Sequence, residues 1–148
     1  MIRQAVASDE PDVRDCAERA YARYVPRIGR KPAPMIADFA TQIAAGIVYV
    51  AADEHANFQG FIVFHAKEGH CLLENVAVLP SAAGRGVGKA LIRFCEGTAR
   101  QWGMSAVQLY TNKKMTDNLS IYPRLGYLKI GERSEEGFDR VYFEKKFQ

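Results

Sequence analysis

Three glycines alternate in the run Ser81-Ala82-Ala83-Gly84-Arg85-Gly86-Val87-Gly88-Lys89-Ala90-Leu91. The run follows an apolar, β-rich stretch and opens an amphipathic helical pattern. Glycine lets a backbone approach a ligand closely. The free N–H groups of a helix start, helped by the helix dipole, suit phosphate oxygens. Arg85 and Lys89 add positive charge beside them. A tight strand-to-helix turn with no ligand needs fewer glycines, so the spacing favours a phosphate. A nucleoside-triphosphate loop requires glycine five residues before Gly88 and Ser or Thr after Lys89. Ala83 and Ala90 stand there instead. A dinucleotide fingerprint requires G-x-G-x-x-G early in a βαβ unit. Here G-x-G-x-G follows three strands that read as antiparallel, so the phosphate ligand is of another kind.

Glu74 lies on the strand that feeds this loop. Strand alternation puts Leu72, Glu74, Val76 and Val78 on one face. A carboxylate among apolar residues is not ordinary core material. It fits a proton acceptor, an anchor for a cationic substrate, or a structural partner for an arginine. His65 and His70 are alternative bases, since imidazole titrates near neutrality. Both sit beside turns, where solvated histidines are the rule. Cys16, Cys71 and Cys95 are odd in number and far apart. Without C-x-x-C or Cys/His spacing they read as buried, reduced thiols of a cytoplasmic protein, with no metal site.

The elements that must position these residues follow from periodicity and punctuation. Ile2 to Val6 alternates as a short strand. Ser8 is the expected N-cap of a helix with Val13, Cys16, Ala17, Ala20 and Tyr24 at helical spacing. Pro26, Gly29, Pro32 and Pro34 mark a loop, and a second helix runs from about Met35 to Ala45. Strands follow at Ile47 to Ala51, Phe58 to His65 and Cys71 to Val78. The helix after the glycine loop turns Leu91, Phe94, Cys95, Ala99 and Trp102 inward and stops at Gly103. A strand at Val107 to Thr111 and a short helix within Thr116 to Leu125 come next. Pro123 requires that helix either to start near Ser120 or to kink. The chain ends in a hairpin, Tyr127 to Arg133 and Phe138 to Phe147. Hairpin-linked strands before a strand–helix–strand crossover predict an α/β (α+β) fold with a mixed sheet and helices on both faces.

The chain has 148 residues, 48% hydrophobic and 25% charged, with a formal net charge of +3. That is the size and balance of one globular domain, residues 1–148, rather than a disordered or fibrous chain. No apolar run reaches the roughly 18 residues of a membrane span, and the N-terminus does not read as a secretory signal. The charge is too mild and too mixed to call for nucleic acid. It is unevenly spread, −2 over residues 1–74 and +5 over residues 75–148. The basic excess thus lies in the half that carries the glycine loop.

Asn75-Val76-Ala77-Val78-Leu79-Pro80 followed by Gly84-Arg85-Gly86-Val87-Gly88-Lys89-Ala90-Leu91 resembles the acetyl-CoA-binding motif of the GCN5-related N-acetyltransferases (GNAT). Leu109-Tyr110-Thr111-Asn112 and Asn118-Leu119-Ser120-Ile121-Tyr122-Pro123-Arg124-Leu125-Gly126-Tyr127 resemble that family's second conserved block. The element order matches as well, so the resemblance covers nearly the whole chain. It implies a GNAT-like, mostly antiparallel central sheet with helices on both faces. Ala83 stands where the family usually has Gln or Arg; backbone N–H groups still reach a pyrophosphate without that side chain.

The resemblance implies direct acetyl transfer from acetyl-CoA to a primary amine of a small molecule or protein. Val76, Ala77 and Val78 would contact the pantetheine arm and thioester oxygen through the backbone. Gly84, Arg85, Gly86, Val87, Gly88 and Lys89 would hold the pyrophosphate. Tyr122, protonated at neutral pH, would face the sulfur and give it a proton. Glu74 would act as base. Asn118 would either contact the cofactor or cap its helix. Tyr110 and Asn112 would line the acceptor site or merely pack and turn. Residues 21–46, with Tyr21, Tyr24, Arg27, Arg30, Lys31 and Met35, and Gly137-Phe138-Asp139-Arg140 would border that site. The expected partners are acetyl-CoA and an amine, with no nucleic acid and no membrane, and a homodimer left open. The alternative is a catalytically silent acyl-CoA-binding module.

Overall fold

The computed structural model describes residues 1–147. A seven-stranded sheet runs β1 (Ile2–Gln4), β2 (Val48–Ala52), β3 (Phe58–Lys67), β4 (His70–Val78), β5 (Ala106–Asn112), β7 (Phe138–Lys146), β6 (Leu128–Glu135) in that spatial order. Every neighbouring pair is antiparallel except β4 and β5. That one parallel pair follows from the crossover helix α4 (Val87–Gln101) between the two strands. The other helices are α1 (Glu10–Tyr21), the single turn α2 (Val25–Ile28), α3 (Phe39–Ala44) and α5 (Thr116–Arg124). The expected mixed sheet with helices on both faces is what forms. Among the described residues no helix is long and apolar enough to cross a membrane.

Two cores flank the sheet. On one face α1 and α3 bury Val13, Cys16, Phe39 and Ile43 against Val48, Val50, Phe61 and Val63. On the other, α4 and α5 bury Leu91, Cys95, Ala99 and Tyr122 against Ile62, Phe64, Leu73 and Leu109. All three cysteines are buried and free, as the sequence suggested, with the Cys71 and Cys95 sulfurs 3.7 Å apart.

Several local expectations give way. Ser8 caps nothing. Asp9 instead accepts the Val6 amide at 2.8 Å and a two-pronged contact from Arg3 at 2.7 and 2.9 Å. The Arg3 guanidinium holds the Asp9 carboxyl below its ordinary value. The helix expected from Met35 splits into a 3₁₀ turn at Ala33–Met35 and α3, whose N-terminus Asp38 caps through the Thr41 amide at 3.1 Å. Trp102 is 45% exposed rather than inward. It caps α4 and lays its ring 5.9 Å from Phe64 at the sheet margin. The buried position goes to Glu96, which Tyr127 Oη and Lys145 Nζ satisfy at 2.8 and 3.1 Å. α5 begins at Thr116 despite Pro123. Pro123 falls in the last turn, where its missing N–H costs the helix a single i→i−4 bond.

Candidate active site

The site is a gap in the sheet. β4 and β5 pair only at Cys71–Val107, Leu72–Gln108 and Leu73–Leu109. Beyond those pairs the strands separate, and a cavity of about 280 Å³ opens between them. Its walls include Glu74, Asn75 and Val76 from β4, Tyr110, Thr111 and Asn112 from β5, and Asn118 and Tyr122 from α5. Tyr21, Gln42 and residues 32–34 close one side, Phe138 and Arg140 the other.

A β-bulge aims the β4 side chains. Val63 pairs with Asn75, but Phe64 pairs with Leu73, so Glu74 is an extra residue without a partner on β3. A bulge bends its strand and shifts side-chain alternation by one. The expected common face of Leu72, Glu74, Val76 and Val78 therefore does not exist. Leu73 and Val76, three apart, both pack on the α4 face, while Ala77 packs on the α1 face. Glu74 is drawn towards α3, where Gln42 Nε2 donates to its Oε2 at 3.2 Å. His65 Nε2 lies 2.7 Å from Glu74 Oε1, with both side chains about 30% exposed. His65 is thus tied to the carboxylate rather than simply solvated, whereas His70 sits at the β3–β4 turn. The gain of Gln42 and His65 as neighbours had no local signal in the sequence, because α3 and β3 meet β4 only in the fold.

The backbone of β4 supplies the next component. The Leu79 amide bonds to the Gln59 carbonyl at 2.8 Å. Ladder alternation then turns Ala77 and Asn75 towards β3, and sends the N–H and C=O of Val76 and Val78 into the gap. Tyr21 confirms the direction at one group: its hydroxyl lies 3.0 Å from the Val76 carbonyl and 2.7 Å from Asn75 Oδ1.

Tyr122 stands across the gap. Its ring is buried against Tyr127 and Phe143, with centroids 5.8 and 5.9 Å away. Its hydroxyl makes no hydrogen bond among the described residues, and burial pushes the phenol above its ordinary value, with Cys95 adding to the effect. A group so placed stays protonated and has a proton to give. Asn118 does not cap α5; Met115 is the N-cap. The Asn118 amide donates to Thr111 Oγ1 at 3.1 Å on the cavity wall.

At the end of β4 the 3₁₀ turn Pro80–Ala82 leads to Gly84 and Gly86, both at φ +79. A side chain at either would strain this left-handed backbone, and nothing lies within 4 Å of where its Cβ would be. Gly86 is the N-cap of α4, and Ala90 is the first amide to bond back, to Gly86 O at 3.0 Å. The amides of Val87, Gly88 and Lys89 are therefore free at the helix start. Arg85 and Lys89 are exposed beside them. Free amides, open space and positive charge together fit a phosphate-bearing cofactor. Glu74, Val76, Asn118 and Tyr122 thus gather at one cavity, while Arg85, Gly86 and Val87 line a separate, more open one at the head of α4. No cluster of side chains that would hold a metal occurs among the described residues.

Comparison with known proteins agrees with this geometry. The family model for the acetyltransferase (GNAT) family matches residues 12–127. No curated protein sequence matches the chain. Among solved structures, PaiA N-acetyltransferase from Thermoplasma acidophilum in complex with coenzyme A superposes with a TM-score of 0.79 at 15% identity, covering 99% of this chain and 98% of that one. Ard1 from Thermoplasma volcanium gives 0.80 at 16% identity, over 100% and 97%. Nourseothricin acetyltransferase gives 0.62 at 22% identity over 67% of this chain, which spans 64% of that protein.

Proposed function

The chain belongs to the GNAT acetyltransferase family, and from that premise we propose that it transfers an acetyl group directly from acetyl-CoA to a primary amine. The observation that carries this reading is that Glu74 from β4 and Tyr122 from α5 line one cavity, with the free amides of the glycine loop at the head of the adjoining helix. Acetyl-CoA supplies the activated acetyl group. The Val87, Gly88 and Lys89 amides hold its pyrophosphate, and Arg85 and Lys89 add charge. Val76 and Val78 offer backbone groups to the pantetheine arm, which takes the place of a strand partner in the gap. Asn118 borders the same channel.

An amine attacks only when neutral. Glu74, steadied by His65 and Gln42, takes the proton from the incoming ammonium. The Val76 N–H donates to the carbonyl oxygen as it gains negative charge. As the C–S bond breaks, Tyr122 gives its phenolic proton to the departing sulfur, and the second proton lost by the amine nitrogen as the C–N bond becomes an amide restores the phenol. Three free, buried thiols accord with a reducing, cytoplasmic setting. The test is to incubate the protein with acetyl-CoA and a panel of primary amines while following thiol release. Turnover that needs Tyr122 and Glu74 supports the reading. Tight acetyl-CoA binding without turnover of any amine would leave a silent binding module.

A further inference from the structure

Arg140 is 7% exposed, yet its guanidinium is only partly satisfied among the described residues. An arginine carries five N–H donors in a planar fork. Nη1 donates to Glu135 Oε2 at 3.1 Å. Nη2 lies 3.8 Å from Glu136 Oε2, beyond hydrogen-bond reach. A buried charge is normally paired on all its edges. Arg140 lines the active-site cavity, and the rest of its fork takes no hydrogen-bond partner among the described residues. The group is held firmly there, 4.5 Å from the Tyr110 ring centroid and 5.6 Å from that of Phe138.

Sheet register places this cation relative to Glu74. Leu73 pairs with Leu109, so Glu74 comes beside Tyr110. Tyr110 pairs with Tyr142 on β7, two residues from Arg140. Glu74 and Arg140 are therefore on the same side of the sheet with the Tyr110 ring between them, two strand spacings across and two residues along, or roughly 12 Å apart at the backbone. The phosphate-binding loop lies elsewhere, at the head of α4, with its own Arg85 and Lys89. The cofactor's phosphates thus leave Arg140 free.

Resting on the acetyl-transfer reading, we propose that the acceptor is a primary amine carrying a carboxylate several bonds away, whose carboxylate binds Arg140 while its amine faces Glu74. The carbon chain of such a molecule crosses the Tyr110 ring. Glu135 competes with the acceptor for the same guanidinium, and that competition gives the test a direction.

Rates with acetyl-CoA are compared for 6-aminohexanoate against hexylamine and for 4-aminobutyrate against butylamine. At least one carboxylate-bearing partner should be preferred tenfold or more in kcat/KM, mainly through KM. Arg140→Gln should abolish the preference. Glu135→Gln should raise it severalfold; because it leaves the guanidinium in place, it guards against a folding defect in the first variant. Equal kcat/KM within both pairs for the wild type, or a preference that survives in Arg140→Gln, overturns the proposal. Calorimetric titration of 6-aminohexanoate into the CoA-saturated protein separates the two claims. Arg140-dependent binding without turnover of any amine upholds the anion site and overturns acetyl transfer. Turnover without discrimination upholds acetyl transfer and overturns the anion site.

Discussion

The two ends of the gap between β4 and β5 are built from different materials. The glycine-loop end is made of backbone: two glycines at φ +79, free first-turn amides and a strand edge turned into the cavity. The opposite end is made of side chains brought from six separate elements and a loop. Glu74 leans on Gln42 and His65, Arg140 on Glu135 and Tyr110, and Arg30 spans from its loop to the Phe138 ring, 3.7 Å away. A backbone site needs only local conformation and suits a ligand that does not vary. A side-chain site depends on long-range packing and can change its ligand without changing the fold.

Substitutions at the two ends should separate rate from cofactor affinity. The largest effect is expected of Glu74→Gln, which keeps the shape but removes the proton acceptor: kcat should fall about 10³-fold while acetyl-CoA binding, measured calorimetrically, is unchanged. A parallel loss of acetyl-CoA affinity would dissolve the division between the ends. Tyr122→Phe should lower kcat roughly 10²-fold with little change in melting temperature, since the ring packing is kept. Burial raises this phenol above its ordinary value. Deprotonating it opposes folding, so its contribution to stability holds below about pH 10, the unfolded phenol's range, and is lost above it. A tyrosine-dependent alkaline limb in kcat well below pH 10 would contradict the assignment.

Gly86→Glu should show the reverse pattern. Strain at a left-handed position and a carboxylate facing phosphates should weaken acetyl-CoA binding about 30-fold, or about 2 kcal/mol. The rate at saturating cofactor should change less. Smallest is Arg30→Ala. Loss of its exposed cation–π contact with Phe138 and its hydrogen bond to the Glu136 carbonyl should raise the acceptor KM about threefold and leave acetyl-CoA affinity untouched. An effect confined to acetyl-CoA would place that contact at the wrong end.

The same contrast explains what could be read from the chain. Gly84, Gly86 and Gly88 act through neighbours in sequence, so their spacing announced the loop. The helix and strand order followed from periodicity and turns. Glu74 was visible as a misplaced carboxylate, but its face was misassigned, because a bulge depends on how β3 pairs and leaves no mark in β4 alone. Gln42 is unremarkable in sequence; His65 reads there as an alternative base and Arg140 as a border of the acceptor site, but the partners of all three emerge only when β3, α3 and β7 meet the gap. Ser8 looked like the better cap by residue type; Arg3, six residues before Asp9, decided otherwise.

The extra residue in β4 has an evolutionary corollary. Cys71 and Leu73 answer to one helical layer, Asn75 and Ala77 to the other, and the switch between them is a matter of counting. Removing Glu74 itself would restore regular pairing with β3 and leave both layers as they are; inserting or removing a residue elsewhere in the strand would exchange the two layers for everything beyond it. Point substitutions within residues 71–78 can drift as long as each half keeps its own allegiance. Insertions and deletions away from the bulge cannot, so over most of this segment length should be inherited more faithfully than letters.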